Sequence, residues 1–302
     1  MTVFAGYGGD LAALAGALLW AIASVVYSDI GRHIPPRELN LAKGILALVM
    51  LGLTLLVVGD SLPSDEPLAL GLLLVSGVIG IGLGDTAFFA SLKLVGARRV
   101  LLLGMLAPPL AALIALLFLG EALSLTAWLG MGMTVLGVAW VVTERVPNAG
   151  PGSGHLARGI LLGSLAALAQ ATGAVLAHFA LVHTSISPLW GTAVRLAAGV
   201  VLLMIWVAAA RRPVGRWMTD EKPGQLWGRL LFAVFTGTYL SMWLHQVALK
   251  LAPAGIAQTL YSTSPLFVLP FAAWTGERIT ARAVLGAIVA LVGIGLLFGL
   301  VF

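Results

Sequence analysis

The chain reads as an all-α membrane protein of ten transmembrane helices, arranged as two inverted-topology five-helix repeats. Three observations predict this. First, 60% of its 302 residues are hydrophobic and only 10% are charged, with a mean hydropathy of +1.05; soluble domains carry about 25% charged residues. Second, a set of landmarks is written twice: Pro109, Gly120, Glu121, Gly130 and Gly137 recur as Pro265, Gly276, Glu277, Gly286 and Gly293, each pair 156 positions apart. Third, the basic residues cluster in alternate loops, as the positive-inside rule requires of a correctly counted set of spans.

A spanning helix needs about 20 apolar residues. Breaks at Pro, Gly and charges leave ten candidates, near 9–30, 37–58, 67–93, 98–119, 125–144, 157–183, 188–210, 225–250, 255–275 and 281–301. Residues 1–146 form the first five-helix unit and 155–302 the second. Between them, 147–154 (Pro-Asn-Ala-Gly-Pro-Gly-Ser-Gly) is a turn-rich linker. The first span is full length and no basic segment precedes it, so it reads as a retained helix rather than a cleaved leader.

Of the 17 Lys and Arg, 13 fall in loops after odd-numbered spans. Lys250 alone follows an even-numbered one, and Lys43, Arg195 and Arg229 lie within spans. The basic side is expected to be cytoplasmic, which places both termini in the periplasm of a bacterial inner membrane. Five spans per unit is an odd number, so the second unit inserts upside-down relative to the first. Leu92-Lys93 and Leu249-Lys250 then occupy equivalent places on opposite faces. Such repeats are associated with alternating access around a central site.

With these residues in view, the chain resembles the drug/metabolite transporter superfamily, in its ten-helix branch of two EamA domains. The carrying features are the Leu-Lys that ends the third and eighth spans, the Pro followed eleven positions later by Gly-Glu, and the Gly-rich fifth and tenth spans. Within that branch it is most similar to the YddG group of aromatic amino acid exporters. The resemblance implies export of aromatic and other apolar amino acids without ATP, and, as an alternative, a multidrug or other small-metabolite exporter. It also implies a cavity among the first, third, fourth, sixth, eighth and ninth spans. The expected partners are a small amino acid or metabolite and the lipid bilayer, with protons as an open coupling question. No nucleic acid partner and no cofactor are expected, and the chain is expected to be a monomer or weak dimer.

The eighth span offers Tyr239, Trp243, Gln246 and Lys250 at i, i+4, i+7, i+11, one helical face that could sandwich a flat side chain and bond its polar end. A helix-packing seam is the plainer alternative. The ninth offers Gln258, Tyr261, Ser262 and Pro265; Pro265 removes a backbone bond and could mark a gate, with Pro109 its counterpart in the fourth. Trp20 and Ser24, with Tyr27, share a face of the first span, and Gln170 sits with His178 on the sixth.

Lys43 and Arg195 each follow a proline by seven residues, about 10 Å in from a membrane face at 1.5 Å per residue, close enough to snorkel. Asp85 lies at a depth comparable with Lys43. A Lys43–Asp85 ion pair would reduce the cost of both charges, and Asp85 as a proton-coupling carboxylate is the alternative. Convergent Arg and Lys are not expected, which disfavours phosphorylated substrates.

Other signals exclude more than they assign. There is no cysteine, so no disulfide or thiol chemistry, and the five histidines lack metal-ligand spacing. No GxxxxGK[ST] loop is present. Gly80, Gly82 and Gly84 lie inside a span and read as close packing rather than a nucleotide loop. Glu121 and Glu277 sit in Gly-Glu turns on opposite faces, before the N-cap residues Ser124 and Thr280, and read as structural. An intramembrane enzyme would need a nucleophile or metal constellation, so a non-enzyme is expected. A scaffold or sensor would need a soluble part to signal through.

Overall fold

The computed structural model describes residues 7–31, 34–61, 65–142, 153–209, 215, 223–267 and 281–298. Most of the 147–154 linker, Gly276 and Glu277 lie outside them. Ser153 and Gly154, expected in the linker, instead open a helix.

Among the described residues all regular structure is helical. The first unit contains α1 (Gly8–Ile30), α2 (Pro36–Val58), α3 (Pro67–Gly77), a π-helical segment (Val78–Gly84), α4 (Asp85–Gly104), α5 (Ala107–Leu119) and α6 (Leu125–Val142). The second contains α7 (Ser153–Val182), α8 (Pro188–Ala209), α9 (Pro223–Ala233), a second π segment (Val234–Leu240), α10 (Ser241–Leu251), α11 (Ala254–Tyr261) and α12 (Ala281–Leu297). Pro36 and Pro67 open their helices where a missing N–H costs nothing. Gly59 and Gly120 close α2 and α5 with φ of 69° and 70°, a left-handed conformation that only glycine adopts without strain.

Among the described residues, six helices are long and apolar enough to cross a bilayer: residues 8–27, 37–58, 67–92, 102–119, 156–182 and 188–209. Two shorter apolar helices cover 125–140 and 284–297. Their outer faces are hydrocarbon. Leu56, Val57, Leu117 and Phe118 are 77–87% exposed, which lipid accepts and water would not. The interior is rich in alanine, including Ala13, Ala111, Ala171, Ala177 and Ala257, so helix backbones approach closely.

One boundary differs from expectation. The third and fourth spans were predicted to part near 94–97, yet the backbone stays helical through Gly104 and breaks at Met105–Leu106. Pro109 has no N–H to give the Met105 carbonyl, and Met105 and Leu106 close onto Leu102 and Leu103 by shorter i−3 bonds. The ninth span breaks at Ser262–Thr263, before Pro265, where Ser262 keeps its i−4 bond to Gln258 and Thr263 closes onto Leu260 by an i−3 bond. Both prolines expected to gate thus directly follow a broken turn.

The structure also carries the 156-residue offset at places the sequence did not mark. The π segments begin at 78 and 234, and the helices that lead into them at Pro67 and Pro223. α1 packs on α10, and the matching pair, α7 on α4, packs likewise. α6 and α12 run antiparallel along glycines: a Cβ on Gly130 would lie 2.8 Å from the Gly293 carbonyl, and one on Gly137 2.6 Å from that of Gly286. Gly130 matches Gly286 and Gly137 matches Gly293, so this contact maps onto itself when the two copies are exchanged.

Candidate functional site

Polar groups inside the helical bundle gather around the first π segment. Its sequence, Val78-Ile79-Gly80-Ile81-Gly82-Leu83-Gly84, widens the helix and leaves bare backbone. A Cβ on Gly77 would fall 2.1 Å from the Arg195 carbonyl, so only glycine lets α8 seat this deeply. Gly173 on α7 also approaches Gly80 closely, with its added Cβ 3.2 Å from the Gly80 Cα, and the Ser76 hydroxyl donates to the Gly173 carbonyl at 2.5 Å. Three helices from the two units therefore meet at this segment.

Asp85 begins α4 there. Lys43 Nζ donates to Asp85 Oδ2 at 3.4 Å, with the Lys43 side chain 8% exposed and that of Asp85 22%. The ammonium also lies 5.6 Å from the Phe89 ring and 5.9 Å from the Trp20 ring, within cation–π range. Gln170 Nε2 donates to Asp85 Oδ1 at 3.1 Å and to the Gly80 carbonyl at 3.3 Å. Trp20, Lys43, Asp85 and Gln170, spread over four spans in sequence, form one cluster.

Arg195 reaches the same segment from α8. It is 5% exposed, its Nη1 donates to Gln246 Oε1 at 2.5 Å, and a Cβ on Gly80 would stand 3.4 Å from its Nη2. Depth alone placed Arg195 within snorkelling reach of the surface; the structure turns it inward, because Gly77 and Gly80 leave room and Gln246 supplies an acceptor. Lys43, through Asp85, and Arg195, through Gly80, thus both stand beside one segment. Glycines at 77 and 80, facing Ala233 and Thr236 in the other copy, were the available signal for Arg195.

The expected face of the eighth span divides. Tyr239 lies in the second π segment, where the α-helical register slips. Its hydroxyl donates to Thr54 Oγ1 at 2.7 Å, since that Thr54 hydroxyl donates to the Met50 carbonyl at 2.9 Å. Trp243 follows it, ring centroids 6.0 Å apart, and both pack in an apolar cluster with α2. Gln246 turns to Arg195, and Lys250 Nζ donates to the Ile186 carbonyl at 2.7 Å.

Gln258 and Tyr261 join a separate group on the other side of α10. Ser241 donates to the Gly16 carbonyl at 2.8 Å, so the Tyr261 hydroxyl, 2.7 Å away, donates to Ser241. His245 stacks on Tyr261 at 4.2 Å between centroids, and its Nε2 lies 3.1 Å from Gln258 Oε1. Ser24 bonds its own helix at the Ala21 carbonyl at 2.8 Å, while Tyr27 pairs with Thr238 at 2.8 Å. The Ser262 amide bonds back to the Gln258 carbonyl at 3.0 Å.

At another point Glu121, turned back by Gly120, pairs with His178 and accepts the Ala254 amide at 3.3 Å. Burial pushes the Glu121 carboxyl up, but the His178 hydrogen bond and charge, with the Ala254 N–H, outweigh it and hold the carboxyl below its usual range. His178 Nδ1 faces the Leu249 carbonyl. The turn ends as a cap, with the Ala127 amide donating to Ser124 Oγ at 3.1 Å. Elsewhere, Glu66 accepts the Ser185 amide at 2.9 Å and its hydroxyl at 2.8 Å, which lowers that carboxyl too. Among the described residues no group of three His, Cys, Asp or Glu could hold a metal.

A bundle of membrane-length helices in two matching copies, with a charged cluster between them, fits a carrier of small molecules. Two stretches, residues 7–143 and 157–299, match the EamA-like transporter family, and the chain belongs to that family. It is accordingly a membrane transporter of small molecules. Among curated proteins none matches the chain. A solved crystal structure, 17% identical, covers 95% of each chain with a TM-score of 0.79, which shows a shared fold.

Proposed function

We propose that the chain is a secondary transporter that exports amino acids, aromatic and other apolar ones, across the bacterial inner membrane by alternating access. The observation that carries this reading is the Lys43–Asp85–Gln170 cluster beside Arg195–Gln246. Both signs of charge and several amide donors lie within a bundle whose surroundings are hydrocarbon. Intramembrane charges are costly and mark functional sites by default. An amino acid presents both a carboxylate and an ammonium, and this cluster offers partners to each. Trp20 and Phe89 beside Lys43 supply flat apolar surface for a side chain.

Ten spans in two inverted units are part of the proposal. The antiparallel α6–α12 glycine contact, which maps onto itself between copies, supports the inversion. So does the exchange of α1–α10 with α7–α4. Both termini are then periplasmic. In such a machine the broken turns before Pro109 and Pro265 are the hinges, and the Glu121–His178 pair is a tie that must open on one face.

Counterflow in proteoliposomes tests the function. Liposomes preloaded with unlabelled phenylalanine or tryptophan are expected to accelerate entry of the labelled amino acid; no exchange with any amino acid of a panel would overturn the reading. An imposed pH gradient separates the coupling modes. Asp85 is engaged on both oxygens by Lys43 and Gln170, so a structural pair is favoured, and Asp85→Asn that folds yet loses a pH response seen in the parent would make it a coupling group.

A further inference from the structure

Arg195 and Gln246 hold two buried donors that no described residue satisfies. Arg195 is 5% exposed and Gln246 1%, yet Arg195 Nε and Gln246 Nε2 have no hydrogen-bond partner among the described residues. The orientation of the amide is dictated by its neighbour. A guanidinium can only donate, so Gln246 must turn Oε1 toward Nη1, and its NH2 is left facing away. Buried donors without acceptors each cost about 1–3 kcal/mol and call for an explanation.

Charge points the same way. Around the first π segment stand two cations, Lys43 and Arg195, and one carboxylate, Asp85, whose oxygens already face Lys43 and Gln170. Arg195 bonds a neutral amide oxygen, and the Asp85 charge that reaches it is shared with Lys43. A net positive charge inside a low-dielectric bundle is expensive unless an anion meets it. Gly77 lets the Arg195 backbone approach, and Gly80 presents bare backbone to the guanidinium, with an added Cβ 3.4 Å from Nη2.

We propose that Arg195 and Gln246 form the carboxylate-reading end of the transport site, and that Gln246 Oε1 occupies the place a substrate carboxylate oxygen takes. The incoming carboxylate displaces that amide oxygen, and its two oxygens take a forked pair of guanidinium N–H groups. The released Gln246 amide then donates through Nε2. This rests on the transport reading above and adds to it the chemical class: the solute must carry a carboxylate, and a carboxamide or bare amine is rejected. The source is an amino acid or a simple monocarboxylate; the recognition chemistry is shared.

The test uses the full-length protein in proteoliposomes, with labelled phenylalanine and labelled 3-phenylpropanoate as exchanged solutes. Phenylalaninamide and phenethylamine serve as competitors. The carboxylates are expected to exchange, and the amide and amine to compete at least about tenfold more weakly, because a site built to bond a group rejects analogues that lack it. Gln246→Glu supplies Arg195 with a permanent internal carboxylate, an ion pair that favours folding, and is expected to lower exchange of both solutes at least about tenfold. Arg195→Gln is expected to lose the preference for carboxylate over amide.

Equal competition by amide and acid in the parent, or parental exchange by Gln246→Glu, overturns the proposal. If Arg195→Gln fails to fold, the Gln246→Glu result decides. Exchange of 3-phenylpropanoate without phenylalanine upholds the carboxylate site while removing the amino acid reading. Exchange of neither removes both.

Discussion

The two π segments occupy the same place in the two copies and carry opposite chemistry. The first has glycine at 80, 82 and 84; the second has Thr236, Thr238 and Leu240 at those positions. The first exposes backbone, takes a hydrogen bond from Gln170 at the Gly80 carbonyl and is followed by Asp85. The second is closed by its own side chains. Thr236 bonds the Phe232 carbonyl, Thr238 pairs with Tyr27 and Tyr239 with Thr54, and Ser241 stands where the first copy has Asp85. Both copies keep the helix defect, which the shared architecture requires, but one is a charged site and the other a packed seam. Duplication supplies the frame, and the side chains at the matched positions decide which copy carries the charge.

Removing a charge from the first copy should have the largest effect. Lys43→Met leaves Asp85 without its cation, and loss of one partner of a buried pair costs about 3–5 kcal/mol. Thermal unfolding in detergent should show it, with partial recovery in the exchanged Lys43→Asp, Asp85→Lys protein; absence of any recovery would mean that the two charges act separately.

The glycine contact comes next. Gly77→Ala places a methyl on the Arg195 carbonyl, and overpacking of this kind costs about 1–3 kcal/mol. Its counterpart in the second copy, Ala233, already carries that methyl and is fully buried. Gly224→Ala, with nothing within 4 Å of the added atom, is the control. Equal Tm for the two variants would contradict the close approach of α8.

The second copy predicts a smaller and purely structural effect. Thr54→Val removes the acceptor of the Tyr239 hydroxyl and should lower stability by about 0.5–1.5 kcal/mol while leaving counterflow rates at the parental level.

The Glu121–His178 tie lies outside this comparison and should be the mildest. The folded protein holds the Glu121 carboxyl below its ordinary value of 4.5, so its contribution is complete above that pH and is lost as pH falls through the folded value. The Tm gap between parent and Glu121→Gln should therefore be widest near neutrality and close in acid. A gap that widens on acidification would contradict the assignment.

Hydropathy and prolines made the spans legible, because lipid allows few alternatives to a long apolar helix. The Pro109 and Pro265 breaks were legible for the same covalent reason. The π segments were not, since one inserted residue leaves no mark on composition and shifts the face of every residue beyond it. That slip is why Tyr239 and Gln246, aligned on an ideal helix, meet different neighbours. Lys43 and Asp85 could be paired from depth. Arg195 could not, because depth is the same for a side chain that snorkels and one that turns inward. Only the bare backbone opposite, glycine where the other copy has alanine and threonine, separates the two.

Direct binding decides where the solute sits. With labelled tryptophan and purified protein, Arg195→Gln should weaken binding at least about tenfold, as loss of a charged partner does, and Thr54→Val should leave it at the parental value. Binding that survives Arg195→Gln but fails in Thr54→Val would place the site at the second π segment and contradict the account.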